Sequence, residues 1–490
     1  MSILEMSALA LARAIRDRKL SVPEAMEELL CRYARTDGDI HAFLTVDAES
    51  AKQNAVQIQA RIDRGEIRSP LAGVPIALKD NICTRGLRTT CASRMLADFI
   101  PPYSATAAQK LVENDLILYG KLNMDEFAMG STTETSCFGI TRNPWDPTRV
   151  PGGSSGGAAA AVAIGSAFCA LGSDTGGSIR QPASHCGVTG FKPTYGTVSR
   201  YGLIAYASSL EQIGPIGRDA ADCAALMDII RGADRYDSTS HATAQEPYLN
   251  ALDTNVVGLR IGVWQDCPHG EISTDVACRI DEMARQLERM GAIIEKVDFP
   301  LMKYAVPAYY TIATAEAASN LSRFDGIKYG YRAAGDMSLS DVYTQSRTEG
   351  FGREVKRRIM LGNFVLSAGY YDAYYCRALK LKTAITASLK ALFEKFDLLL
   401  MPTAPTTAPR IGESLDDATR MYATDCYTVL ANLAGLPALS LPCGFGADGM
   451  PIGAQLMGPA LSDARVLSVG YAYQQRTDYH TKRPREVSAL

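Results

Sequence analysis

The stretch Gly152-Gly153-Ser154-Ser155-Gly156-Gly157, followed shortly by Gly172-Ser173-Asp174-Thr175-Gly176-Gly177-Ser178, decides the reading of this chain. Between the two serine loops, residues 157–164 read as a short helix and 167–171 as an apolar strand. Glycine lets the backbone approach closely and turn freely. Two glycine-flanked serine loops on one αβ unit therefore gather hydroxyls and bare N–H groups around one point, as acyl transfer requires. A third segment, Leu78-Lys79-Asp80-Asn81, supplies a candidate base.

Working outward, the pattern of short apolar strands alternating with helices begins at Gly73. Strands are expected over residues 74–78, 116–119, 167–171, 259–263, 293–297, 398–401, 438–441 and 452–456. Helices are expected over 105–113, 157–164 and 276–290. This predicts an α/β fold, a large mixed, mostly parallel twisted sheet covered by helices on both faces. Residues 305–385 break the alternation, are tyrosine-rich and read as a helical layer over the site. At the start, helices are expected over residues 7–18, after Ser21, and over 48–64. Ser21 with Glu24 three residues on, reinforced by Pro23, makes a capping-box start. The expected organisation is an N-terminal helical segment, 1–66, packed on one domain, 67–490, that carries the helical layer.

Length and composition agree with a large folded core: 490 residues, 47% hydrophobic and 21% charged. The net charge of −3 gives this chain no reason to grip a nucleic-acid backbone by itself. The 12 cysteines form no Cys-x-x-Cys pair and read as reduced cytosolic thiols, with no metal-ligand constellation. No signal peptide is expected, since the first residues place Glu5, Arg13, Arg16 and Asp17 in a helical period. No apolar run is long enough to span a bilayer. A soluble, cytoplasmic protein is the expectation, with no membrane contact.

The Gly152–Gly157 loop fails as a phosphate cradle, because Ala158-Ala159-Ala160 stands where a Lys and a Ser or Thr are needed. It fits a nucleophile elbow poorly, because Pro144, Pro147 and Pro151 precede it where an elbow needs a strand. A serine–histidine triad is no better served. Of the five histidines, His41, His241, His269 and His480 have no motif around them, and His185 reads as a packing residue. A lysine kept neutral by burial activates a serine without histidine. Lys79, ending the apolar run Val74–Leu78, suits that role. An ion-paired structural lysine is the competing reading from position alone.

With Lys79, Ser154 and Ser178 spaced 75 and 24 residues apart around these loops, the chain closely resembles the amidase signature family. The resemblance implies a Ser-cisSer-Lys triad: Ser178 as nucleophile, Ser154 as the bridging serine after a non-proline cis peptide, and Lys79 as base. Backbone N–H groups of Thr175, Gly176 and Gly177 would form the oxyanion hole. Asp174 and Asn81 are assigned to loop hydrogen bonding.

Further stretches, 123–131, 190–196, 351–358 and 432–438, resemble a branch of that family, the glutaminase subunits of tRNA-dependent amidotransferases. That branch implies glutamine as substrate. Arg358 would grip its carboxylate, Asp425 would face its amino group, and Tyr309 would support both. From sequence alone, Lys356-Arg357-Arg358 reads as a solvated basic face and Asp425 as a helix-start residue. The branch also implies a partner, the B subunit, that grips tRNA and holds ATP and Mg, a small third partner, the C subunit, and no cofactor in this chain. Glu-tRNA(Gln) is the implied acceptor, with Asp-tRNA(Asn) open. His185 and Glu211 depart from the pattern, which puts local packing in question and leaves the chemistry intact. Two other readings stay open: a stand-alone amidase of small aliphatic or aryl amides, and a catalytically silent scaffold.

Overall fold

A computed structural model of the chain describes residues 3–67, 69–242, 246–266, 272–413 and 418–484; His269 lies outside them. The strands are β1 (Phe43–Val46), β2 (Pro75–Lys79), β3 (Ile117–Leu122), β4 (Cys169–Asp174), β5 (Thr189–Lys192), β6 (Gln212–Gly217), β7 (Arg260–Val263), β8 (Ile293–Lys296), β9 (Leu398–Pro402), β10 (Ala438–Phe445) and β11 (Pro451–Met457). They form one sheet in the order β1-β3-β2-β4-β6-β5-β10-β11-β9-β7-β8. Every strand expected from sequence is present, with ends moved by a few residues. β1, β5 and β6 were not foreseen. Two are only four residues long, and β6, Gln-Ile-Gly-Pro-Ile-Gly, hides its strand character behind two glycines and a proline.

The sheet is mixed, as expected, but it is not mostly parallel. Of its ten adjacencies, six are antiparallel and four parallel. The parallel pairs lie in two outer blocks, β3-β2-β4 and β9-β7-β8; the run from β4 to β9 is antiparallel throughout. For one of the antiparallel pairs the cause is connection length. Parallel neighbours need a crossover of a dozen residues or more, whereas β10 and β11 are joined by a short turn that can only reverse direction.

Side chains alternate across the sheet, so successive strand residues enter different cores. In β9, Leu398 and Leu400 join a cluster with Ala158–Ala163, Leu226 and Leu467. Leu399 and Met401 join a second cluster with Ile312, Val355 and Ile385. Helices therefore cover both faces. The second face carries the helical layer, Ala305–Asn320, Leu339–Gly350, Arg353–Leu366 and Arg377–Phe393.

The N-terminal helices Ala8–Arg16, Val22–Ile40 and Ala48–Asp63 bury Leu11, Ile15, Met26 and Leu29 in the first cluster. The second of them starts on the Ser21–Glu24 capping box, with proline in its first turn. The first docks through its N-terminus: the Ala8 and Leu9 N–H groups donate to the buried Asp222 carboxylate at 3.0 and 2.9 Å. Segment 1–66 is not wholly helical, because Phe43–Val46 forms the sheet edge beside β3.

Candidate active site

Three parallel strands, β3, β2 and β4, end on the same edge of the sheet, so the segments that follow them converge. β2 delivers Lys79 as its last residue, β4 delivers Ser173–Ser178, and β3 leads into Asn123–Ser131. Ser154 sits just before the helix Gly156–Ile164. The Ser155 N–H donates to the Ser178 carbonyl at 3.1 Å and ties the two serine loops together. The peptide between Gly153 and Ser154 is cis.

Lys79 and Ser154 are fully buried, and Ser178 is 8% exposed. Lys79 Nζ lies 2.6 Å from Ser154 Oγ and 3.2 Å from the Ser173 carbonyl. Burial pushes the amine down to about 7, against the opposing pull of Asp125 and Asp174. The ion-paired lysine at this strand end is a different one, Lys121, 3.3 Å from Asp80. Lys79 thus has a hydroxyl and a carbonyl as its hydrogen-bond partners. A buried amine that titrates near neutrality beside a hydroxyl can act as a base.

The loop bearing Ser178 is held from within. Asp174 accepts the Gly177 N–H at 2.8 Å, the Ile179 N–H at 3.2 Å and two hydrogen bonds from Arg180 at 2.9 Å each. Burial opposes ionisation of Asp174, but the Arg180 charge outweighs it and holds the carboxyl well below the usual range. Of the three expected oxyanion donors, Gly177 already gives its N–H to Asp174. At Gly176 a Cβ would lie 2.4 Å from the Tyr309 ring, so only glycine admits that contact. Asn81 is a loop residue, donating to Ser173 Oγ at 2.9 Å. His185 is a buried packing residue, its pKa pushed down to about 4 by burial.

A second constellation lies against Tyr309. Arg358 is 2% exposed, so the basic run splits, with Lys356 and Arg357 only half-buried. Its Nε donates to Glu354 at 2.8 Å and its Nη1 to the Tyr206 hydroxyl at 2.7 Å. Its Nη2 is buried without a hydrogen-bond partner, a donor awaiting an acceptor. The guanidinium also lies over the rings of Tyr310 and Tyr422, at 5.2 and 5.4 Å. Asp425 accepts from the Tyr310 hydroxyl at 2.7 Å and from Ser131 at 3.1 Å. Burial pushes its carboxyl up to about 7. A buried cation with a spare donor and a buried carboxylate are what an α-amino acid needs.

Sequence reasoning missed Tyr206, Tyr310 and Ser131, which hold these two charges, and Arg180. Two of them carried a signal: Arg180 lies two residues beyond the second serine loop, and Ser131 closes the stretch 123–131 that carried the resemblance. Glu211, an expected departure, accepts the Tyr206 and Ala207 N–H groups at 3.0 and 3.2 Å and so shapes the turn that brings Tyr206 to Arg358.

Asp125 and Glu126 connect the two constellations. The Asp125 N–H donates to the Ser154 carbonyl at 3.3 Å. The buried Glu126 carboxylate accepts the Gly352 N–H at 2.8 Å, capping the helix that carries Arg358 where Gly352 has no side chain to do so. Glu126→Ala is expected to cost about 1–2 kcal/mol of cap and to raise KM for the amide substrate about tenfold, with kcat changed less. Steady-state ammonia release checks this; a loss confined to kcat would refute the capping role.

A family model described as Amidase matches residues 24–467. The chain belongs to the amidase family. Among amidase-family proteins, it is 52% identical over 484 residues to the A subunit of the Glutamyl-tRNA(Gln) amidotransferase of Moorella thermoacetica, covering 99% of each chain. Its fold is similar to the crystal structure of the A subunit of Glutamyl-tRNA(Gln) amidotransferase from Thermotoga maritima, with TM-score 0.80 and 40% identity over 99% of this chain and 98% of that one. A peptide amidase from Stenotrophomonas maltophilia shares the architecture at TM-score 0.82 and 28% identity, over 99% of both chains. No helix among the described residues is long and apolar enough to cross a membrane.

Proposed function

We propose that this chain is the glutaminase subunit of a glutamyl-tRNA(Gln) amidotransferase, working in the cytoplasm. Residues 67–490 would form its amidase domain and 1–66 its N-terminal segment. The observation that carries the chemistry is the fully buried Lys79 amine 2.6 Å from Ser154 Oγ, with a pKa near 7. Neutral Lys79 accepts the Ser154 hydroxyl proton as Ser154 takes the proton of Ser178. Ser178 Oγ attacks the side-chain carbonyl carbon of glutamine, and the developing oxyanion meets the N–H groups of Thr175 and Gly176, while the Gly177 N–H stays on Asp174 and fixes the loop. The C–N bond breaks, the relayed proton returns to the leaving nitrogen, and ammonia departs. Water then hydrolyses the acyl-serine ester to release glutamate.

The substrate's other end supports glutamine over simple amides. The free Nη2 of Arg358 suits an α-carboxylate, Asp425 suits the ammonium, and Tyr309 walls the space beside Gly176. The 52% identity to an amidotransferase A subunit over nearly the whole chain supports the same reading. Partners follow from that kinship: a B subunit that binds tRNA, ATP and Mg and consumes the ammonia, and a small C subunit. This chain uses no cofactor of its own.

Arg358→Ala tests the assignment. Truncating one partner of a buried charge contact costs about 2–4 kcal/mol, so kcat/KM for glutamine should fall roughly 30- to 1,000-fold, while turnover of a small uncharged amide stays near wild type. Equal glutamine turnover by both proteins would favour a stand-alone amidase.

A further inference from the structure

The Asp125 carboxylate is fully buried beside the first serine loop and satisfied by donors alone. Its Oδ2 accepts the N–H groups of Thr132 and Thr133 at 3.2 and 2.9 Å, and its Oδ1 accepts the Thr135 hydroxyl at 2.9 Å. The Thr135 oxygen in turn receives the Glu126 N–H at 3.0 Å, so the hydroxyl proton points at Asp125 and the acid needs none of its own. Burial pushes this carboxyl up, and the hydrogen bonds to Thr133, Thr135 and Thr132 oppose it. Two glycines admit the close approach: a Cβ on Gly130 or on Gly153 would run into the carboxylate. Gly153 is bonded to Ser154, which sets the negative charge one residue from the hydroxyl that meets Lys79. The loop ordered by Asp125 also brackets Ser154, because the Thr133 hydroxyl donates to the Gly152 carbonyl at 2.8 Å and accepts the Gly156 N–H at 3.1 Å. Thr133 holds a φ of +61°, a left-handed conformation that a β-branched residue keeps only where its surroundings impose it, and its N–H bond to Asp125 is one such constraint.

The other charged groups around Lys79 are already spent. Asp174 is paired with Arg180 at 2.9 Å, and Asp80, next to Lys79 in the chain, with Lys121 at 3.3 Å. Glu211 lies 3.7 Å from Arg200 and is raised to about 7 by burial. The Cys91 thiol is pushed up by burial and stays neutral. Of the four acids, Asp125 alone has no cation within ion-pair distance among the described residues. Burial pushes the Lys79 amine down, and Asp125 comes first among the charges that oppose this, ahead of Asp174, Cys91 and Glu211.

Resting on the glutaminase reading above, we propose that Asp125 is a positioning residue for the proton relay: it orders the loop that frames Ser154, and its unpaired charge holds the proton on Lys79 during acylation. As Ser178 Oγ bonds to the amide carbon, its proton passes to Ser154 and the Ser154 proton to Lys79. That transfer makes an ammonium where burial opposes charge. The Asp125 carboxylate stabilises the ammonium until its proton returns through Ser154 to the leaving nitrogen.

The test follows the rate at which a sulfonyl fluoride labels Ser178 against pH, in the full chain, for wild type, Asp125→Asn, Thr133→Val and Lys79→Ala, with folding checked by circular dichroism. The amide of Asp125→Asn can keep its oxygen on the Thr132 and Thr133 N–H groups and turn its NH2 to the Thr135 hydroxyl, so the charge is removed and most of the frame kept. Without that charge the ammonium is less stable and Lys79 sheds its proton at lower pH. The midpoint of the profile should therefore fall by about one pH unit or more, and the weaker base should leave the plateau roughly 3- to 10-fold lower. Thr133→Val keeps the charge and loses the two hydroxyl contacts, so its plateau should fall while its midpoint stays at the wild-type value. A midpoint in Asp125→Asn that stays put, or rises as loosening and entry of water would make it, overturns the proposal. So does a Thr133→Val midpoint displaced as far as that of Asp125→Asn. Should Asp125→Asn not fold, Asp125→Ser, which leaves room for water, carries the same expectation, and failure of both to fold overturns the proposal by making Asp125 structural alone. Wild-type labelling in Lys79→Ala overturns instead the relay of the glutaminase reading itself.

Discussion

Lys79→Ala is expected to lower glutamine turnover at least about 10³-fold, toward the top of the range that general-base catalysis supplies, with the protein still folded. Lys79→Arg should be as inactive, because a guanidinium keeps its proton at any working pH and cannot accept one from Ser154. The pH dependence carries the sign of a depressed amine. Burial lowers Lys79 to about 7, so the neutral, active form is lost as pH falls below 7 and complete above it. Asp425, raised to about 7 by burial, adds a second loss on the same acid side, because its protonated form no longer attracts an ammonium. A sulfonyl fluoride has no ammonium, so its rate of reaction with Ser178 isolates the lysine. That rate should rise through pH 7 in wild type and be low and flat in Lys79→Ala. Labelling and turnover near wild type in Lys79→Ala would remove Lys79 as base.

What the sequence disclosed about this site divides by distance along the chain. Lys79 and the two serine loops were readable because each announces itself locally, as a charge closing an apolar strand or as hydroxyls between glycines. The parallel pairing of β2 with β4 then brings them together, and that register follows from the αβ unit between them. Arg358 and Asp425 were not readable from residue type, since a run of three basic residues is ordinarily solvated. They are buried because Tyr206, Tyr310 and Ser131 arrive from segments 152, 115 and 294 residues away. No local pattern encodes such meetings. The fold shows the same division. Strands with an unbroken apolar run were legible, and β6, built on Gly214, Pro215 and Gly217, was not. The expectation of mostly parallel pairing failed because the β10–β11 hairpin reverses direction and because β5 and β6, neither foreseen, enter the middle of the sheet antiparallel to each other and to β10 and β4.

Arg180→Ala is expected to destabilise the protein by about 3–5 kcal/mol, the cost of stranding one member of a buried ion pair. All five N–H donors of Arg180 are engaged: two on Asp174, one on the Thr428 carbonyl at 2.9 Å, one on Gln455 and one on Asn432 at 2.7 Å. Those partners belong to three elements, the Ser178 loop, the helix Val429–Leu433 just beyond Asp425, and β11. One fully buried guanidinium therefore fixes the nucleophile loop relative to the segment that carries the proposed ammonium site. Without it, the Asp174 carboxylate stays buried with N–H dipoles, the Asn432 amide and the nearby Lys192 amine, itself weakened by burial, to stabilise its charge. It must then take up a proton or draw in water. Stability of Arg180→Ala should consequently worsen as pH rises, because the unpaired acid folds best protonated, whereas in wild type the ionised Asp174 is the favoured form. Urea unfolding of wild type, Arg180→Ala, Asp174→Ala and the double variant at pH 6 and 8 measures this. The double variant should lie well short of the sum of the two single losses. Strict additivity, or a loss under about 1 kcal/mol in Arg180→Ala, would show that the pair does not hold the loop.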